Sequence, residues 1–164
     1  MKTLLLHGVA PLVLLLVHLA PAGAFAAPDG WIESLPDARA RAERENRPIL
    51  ALFTGSDWCG FCIQLEKETL SSPEFQKFLK EKVVPLYLDF PADKKTPQER
   101  LRRNQEIAGK FGVHGFPTTI FLAPDGETVL AIIAGYEGEK PYRDACAFAA
   151  DAKWTAALRK ALAE

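Results

Sequence analysis

The sequence predicts an α/β protein in which helices flank a mixed sheet. Three observations lead there. Apolar runs of strand length alternate with longer helix-like stretches. The first two runs are separated by helical segments, as a parallel crossover requires. The last two are separated by Pro124-Asp125-Gly126, the turn chemistry of an antiparallel hairpin. At 164 residues the chain is of single-domain size. With 48% hydrophobic and 25% charged residues it is not globally disordered, and a net charge of -1 gives no general electrostatic reason to bind nucleic acid or an anionic membrane.

The N-terminus reads as a secretion signal outside the fold. Lys2 is the lone charge before residue 28, an apolar stretch runs from Leu4 to about Ala20, and small residues follow. Ala24-Phe25-Ala26 and Ala22-Gly23-Ala24 both fit small-x-small cleavage. The alternative, an uncleaved anchor, is disfavoured because His7, Gly8, Pro11 and His18 interrupt the stretch. Removing residues 1–26 leaves 138 residues with a net charge of -2, one histidine (His114) and all three cysteines. The expected location is periplasmic or secreted, where thiols meet an oxidising environment.

Residues 27–36 contain Pro28, Gly30 and Pro36 and read as an irregular entry, followed by one domain over 37–164. Asp37–Arg47, rich in Ala, Arg and Glu, is a short helix. Pro48–Phe53 is a continuous apolar run, the mark of a strand covered on both faces. Gly55-Ser56-Asp57 breaks it, and a helix runs from Cys59 through Glu68. Ser71-Ser72-Pro73-Glu74 carries a second helix start, with serine as cap and proline in the first turn. Val83–Asp89 is the next strand, stopped by Pro91. Thr96-Pro97-Gln98-Glu99 reads as a capping box opening a helix to Lys110, with Gly112 where a helix-ending glycine belongs. Thr118–Leu122 and Thr128–Ala134 form the hairpin. Pro141–Ala163 is helical, in one or two pieces, with Tyr142, Ala145, Cys146 and Ala149 on one stripe and Trp154, Leu158 and Leu162 on another.

Chemistry concentrates in Trp58-Cys59-Gly60-Phe61-Cys62. Two cysteines three apart at a helix start share a face one turn apart, close enough for a disulfide. Cys59 would meet unpaired backbone N–H groups and the positive end of the helix dipole, which favour a thiolate. Cys62, one turn inward, is the less exposed resolving thiol. Three other readings compete. Zinc would need further ligands, and the mature chain offers no second cysteine pair and only His114. A structural staple across so short a loop stabilises little. Coincidence is disfavoured because the pair follows a buried strand and opens a helix in an exported chain.

Ile49–Phe53, Trp58–Cys62 and Gly115-Phe116-Pro117-Thr118 resemble the strand, active site and proline loop of the thioredoxin superfamily, over about residues 37–163. The segments Thr54–Cys62 and Gly112–Thr118 are similar to those of small periplasmic thioredoxin-like proteins and of the C-terminal domain of DsbD. The resemblance implies a thioredoxin fold with a central four-stranded mixed sheet, and a cis Phe116–Pro117 bond facing the cysteines. It implies a thiol–disulfide oxidoreductase with catalytic Cys59 and Cys62 and a substrate groove of Trp58, Gly60, Phe61, Gly115, Phe116 and Pro117. No dissociable cofactor or metal is expected beyond the redox-active pair. The expected partners are protein thiols and disulfides and a membrane electron donor of the DsbD kind, with no nucleic acid, and the expected state is a monomer. A binding or chaperone module that holds clients without turnover is the alternative.

Two departures from the family matter. The buried acid of thioredoxin falls at about Leu52, which cannot accept a proton; Asp57 is adjacent but expected to be exposed, and Glu66, four residues past Cys62, is expected on a solvated face. Strong oxidants of the superfamily carry histidine before the second cysteine, whereas Phe61 offers neither charge nor donor. A less stabilised reduced form means a lower potential, so a reductase or isomerase is expected rather than a primary oxidant. Elsewhere, His114 is expected to be a polar loop residue, Cys146 a small buried hydrophobe and Phe75, Phe78 and Phe111 core. The basic residues Lys94, Lys95, Arg100, Arg102 and Arg103, interleaved with acids, are expected on a solvated face.

Overall fold

The computed structural model of the protein describes residues 27–93, 95–151, 157, 160 and 161. Residues 1–26, where a secretion signal is expected, Lys94 and the stripe Trp154, Leu158 and Leu162 lie outside them. Among the described residues the order is α1 (Leu35–Glu45), β1 (Ile49–Thr54), α2 (Gly60–Leu65), a π-helical turn (Glu66–Leu70), α3 (Pro73–Lys82), β2 (Val84–Asp89), α4 (Gln98–Lys110), β3 (Thr118–Leu122), β4 (Val129–Ala134) and α5 (Glu139–Ala149). The strands form one mixed sheet in the order β2-β1-β3-β4. β1 pairs parallel with β2 (Ile49 with Val84, Thr54 with Asp89) and antiparallel with β3, which pairs antiparallel with β4. This is the mixed sheet expected from the crossovers and the hairpin.

The apolar run of β1 is buried along its whole length because helices cover both faces of the sheet. Ile49, Ala51 and Phe53 point to one side, with Ala38 and Ala42 of α1, Ala108 of α4, and Leu86 and Leu88 of β2. Leu50 and Leu52 point to the other, with Leu65, Leu70, Phe75 and Leu79 from the helices after the cysteines and Tyr142, Cys146 and Ala149 from α5. The alternation of side chains along each strand thus divides the core into two layers. Phe75 is fully buried, while Phe78 and Phe111 pack at the margins.

The entry segment is more ordered than its composition suggests. Ile32 forms a parallel bridge to Leu86, donating to the Pro85 carbonyl and accepting from the Tyr87 N–H, and so covers the edge of β2. Ser34 caps α1 by accepting from the Asp37 N–H, which places the start at Leu35 rather than Asp37. Ser72 caps α3 as expected, through the Phe75 N–H.

Four expectations change. The helix expected over Cys59–Glu68 has Cys59 as its cap and widens into the π-helical turn at Glu66, which turns both Thr69 and Leu70 inward. Thr96 does not cap α4: the Pro97 carbonyl accepts from the Arg100 and Leu101 N–H groups, so the helix begins one residue later. The Thr96 hydroxyl is buried with no partner among the described residues. α5 begins at Glu139, with Pro141 inside its first turn, where a missing N–H costs nothing. Arg100 is not on a solvated face; its side chain is 14% exposed and its guanidinium donates to Glu33 at 2.8 Å. Arg102 and Arg103 are exposed as expected.

Candidate functional site

The cysteine pair stands where β1 ends and α2 begins. The Cys59 N–H donates to the Gly55 carbonyl at 2.9 Å, closing a turn over residues 55–59. Cys59 is in an extended conformation and its Sγ accepts from the Cys62 N–H at 3.3 Å. The sulfur therefore takes the place of the side-chain oxygen in an ordinary helix cap. Cys59 and Cys62 are joined as a disulfide with Cα atoms 5.2 Å apart, and Cys59 is the more accessible of the two. Once reduced, Cys59 would carry its negative charge against that N–H and the start of the helix, which lowers a thiol pKa.

Two acids clamp this turn. Asp89, buried at the end of β2, accepts from the Ser56 N–H at 3.0 Å and from the Ser56 hydroxyl at 2.7 Å. Asp57 is exposed, as expected, but its two oxygens accept from the Ala92 and Asp93 N–H groups at 2.9 and 3.1 Å. The loop after β1 is thereby tied to the loop after β2. Sequence reasoning missed Ser56 and Asp89. An acid ending an otherwise apolar buried strand is the signal that marks Asp89.

The Trp58 indole joins the third loop. Its Nε1 donates to the Phe90 carbonyl at 2.8 Å, and its ring meets Phe116 edge-on with centroids 5.9 Å apart. Phe90 in turn packs on Phe116 at 4.9 Å. The ring also lies over Gly55, where an added Cβ would fall 2.6 Å from the indole. The Phe116–Pro117 bond is cis. The Thr118 hydroxyl donates to the Gly115 carbonyl at 2.8 Å, and the Gly135 N–H donates to the Pro117 carbonyl at 2.8 Å. Trp58 (53% exposed), Phe61 (62%) and Ile63 present an apolar surface around the cysteines, while Pro117 is buried. The structure thus brings Trp58 and Phe116 together. Phe90 and Ile63 join this region without having been expected in it.

Beneath Cys62 lies a cavity of about 210 Å³ lined by Thr54, Ser56, Cys62, Ile63, Glu66, Lys67 and Tyr87. The Cys62 Sγ accepts from the Gly55 N–H at 3.5 Å. Leu52 and Phe53 are fully buried and bring no acid to this side. Glu66 is not on a solvated face: it lines the cavity half-buried, and burial pushes its carboxyl above the usual range, against the opposing hydrogen bond from Ser71. The Tyr87 phenol is held strongly protonated, first by burial and then by nearby acids. A cavity of this size with polar walls has room for water.

His114 is exposed in the loop before Gly115. Cys146 is a free, fully buried cysteine packed in the α5 layer, and burial pushes its thiol up to about 12. Among the described residues no group of three His, Cys, Asp or Glu is gathered to hold a metal, and no helix is long and apolar enough to cross a membrane.

The likeness to known proteins agrees with this geometry. A family model for a thioredoxin-like domain matches residues 35–150. The disulfide bond reductase DsbH of Chlamydia pneumoniae is 35% identical over 95 residues, which is 58% of this chain and 57% of that protein. The thiol:disulfide interchange protein DsbD of Cronobacter sakazakii is 33% identical over 91 residues, 56% of this chain and 14% of that protein. The chain thus spans little more than half of one of these curated relatives and a small part of the other. A solved structure titled DsbH Oxidoreductase superposes with a TM-score of 0.65 at 28% identity, covering 76% of this chain and 90% of that one. With a family model matched across most of its length and the sheet order, cysteine cap and cis-proline loop in place, the chain belongs to the thioredoxin-like family.

Proposed function

We propose that the protein is a thiol–disulfide oxidoreductase of the cell envelope, exported by its first 26 residues and acting on protein disulfides in the reducing or isomerising direction. The observation that carries the reading is the Cys59–Cys62 disulfide at the start of α2, with Cys59, the slightly more exposed of the two residues, as the helix cap. In the reducing direction the Cys59 thiolate attacks a client disulfide. A mixed disulfide forms and one client sulfur leaves as a thiolate that takes a proton. The Cys62 thiol then gives up its proton and attacks the Cys59 sulfur. The Cys59–Cys62 bond forms, the mixed disulfide breaks, and the second client thiol is released. Two electrons pass from the protein to the client, and an external dithiol, in the cell a membrane donor of the DsbD kind, must return them.

Glu66 is the acid we assign to the Cys62 proton, taken directly or through water in the cavity the two residues share. Its raised pKa supports the role, because a base works best when its pKa approaches the working pH. Trp58, Gly60, Phe61, Gly115, Phe116 and Pro117 form the client groove in this reading.

Insulin reduction driven by dithiothreitol tests the activity. The wild type is expected to accelerate it and Cys59→Ser to abolish the acceleration, while Cys62→Ser is expected to accumulate mixed disulfides. Client capture without turnover by the wild type would favour a holding module instead. Equilibration with glutathione tests the direction. A potential near about -270 mV, as in thioredoxin, is expected, and one near about -120 mV would overturn the reducing assignment.

A further inference from the structure

A second groove opens beside the Phe116–Pro117 loop and runs away from the cysteines along the sheet. Its volume is about 360 Å³, and its apolar walls come from Phe111 and Val113 after α4, from Ile120 of β3 and from Ile132 and Ala134 of β4. None of its lining residues is Asp, Glu, Lys or Arg; His114 is the one titratable group.

The groove exists because the helices stop short of β4. On the face covered by α1 and α4, Ile120 is completely buried, yet its neighbour across the sheet, Ile132, is 57% exposed. β4 is also the edge of the sheet, and its six residues, Val129 to Ala134, carry no charge. Natural edge strands are commonly blunted by charged residues or proline, or are covered. The opposite edge is handled in that way, since Ile32 bridges onto β2. An uncharged, half-open strand beside an apolar groove suits an extended apolar chain.

The occupant follows from continuity. The same groove is lined by Gly115, Phe116, Pro117 and Thr118, the loop that meets Trp58. The hydrogen bond from Gly135 to Pro117 ties the end of β4 to that loop. Ile132 lies level with Ile120, three residues beyond Pro117 along the sheet. That is about 10 Å, a distance an extended chain covers in roughly three residues. We propose that this groove is a specificity subsite for the client polypeptide, in which Ile132 and Val113 receive an apolar side chain a few residues from the client's reactive cysteine. The proposal rests on the oxidoreductase reading given above.

Disulfide-linked peptide dimers test it. Each peptide carries a single cysteine in a Gly/Ser background, with Leu or Ser at one of positions one to five on either side. The rate of reduction by the pre-reduced protein is measured for each. Wild type is expected to prefer Leu over Ser by about tenfold in kcat/KM at a position two to five residues from the cysteine on one side. Ile132→Glu is expected to bring that ratio to about one, and Ile132→Val to keep it. Ile132→Thr replaces the glutamate variant if its melting curve shows that it does not fold. Equal rates for all peptides, or a preference that survives Ile132→Glu, would overturn the subsite and leave the oxidoreductase reading intact. A protein that reduces neither insulin nor any peptide overturns both. A micromolar dimer abolished by Ile132→Glu would mean that a second copy, and not the client, fills the groove.

Discussion

Gly55→Ala is the sharpest test of how the active-site loop is held. The Cβ it adds would sit 2.6 to 2.8 Å from three atoms of the Trp58 indole, so the ring must move. A displaced ring gives up the Nε1 hydrogen bond to Phe90, worth about 1 kcal/mol. It also loses its edge contact with Phe116, worth about 0.5–1 kcal/mol. The ring is half exposed, so little burial is lost, and the substitution should destabilise the oxidised protein by roughly 1–2 kcal/mol. With Trp58→Ala in the background those three close contacts are gone. Gly55 lacks the positive φ that would penalise alanine, so the same change should then be neutral or stabilising by about 0.5 kcal/mol through the unfolded chain. Urea unfolding of the four proteins, followed by circular dichroism, closes this cycle. An equal cost of Gly55→Ala with and without the indole would refute the account, because it would place the strain elsewhere in the turn.

Other consequences can be measured on the same protein. Asp89→Ala leaves Ser56 without the carboxylate that takes both its N–H and its hydroxyl, and a loss of about 2–4 kcal/mol in urea unfolding is expected. Because the folded-state pKa of Glu66 is raised, its stabilising contribution is complete below the unfolded value near 4.5 and is lost as pH rises through the folded value. Glu66→Gln should therefore be more stable than wild type at pH 7, with the difference vanishing below about pH 4.5. If Glu66 also accepts the Cys62 proton, the same variant should slow decay of the mixed disulfide in stopped-flow measurements. The buried Cys146, its thiol pushed up to about 12, should resist iodoacetamide at pH 8 in the reduced native protein and react only after denaturation.

Much of the fold was legible because its signals are local. The unbroken apolar run of β1, the Ser72-Pro73 start of α3, the glycine after α4 and the Pro124-Asp125-Gly126 turn each act through a few neighbouring residues, and these four features lie within a residue or two of their expected places. The misplaced helix starts are local competitions decided by one residue. Pro97 takes the position Thr96 was expected to hold, and Pro141 sits comfortably inside a first turn. The cysteine pair was equally visible, since its spacing and its place at a helix start are properties of a five-residue segment.

What the sequence could not convey depends on which distant segments meet. Glu66 read as a surface acid, and only its packing beside Tyr87 and Cys62 makes it a half-buried group with a raised pKa. Asp89 lies 33 residues from Ser56, and no pattern along the chain reveals that they bond. Arg100 looked like one member of a basic face until Glu33 was found beside it. Ile132 is an ordinary strand residue by sequence, and its exposure follows from where α1 and α4 stop covering the sheet. Alternation along a strand tells which residues share a face; how far the helices reach across that face is set by tertiary packing, and that reach leaves the groove open beside the proline loop.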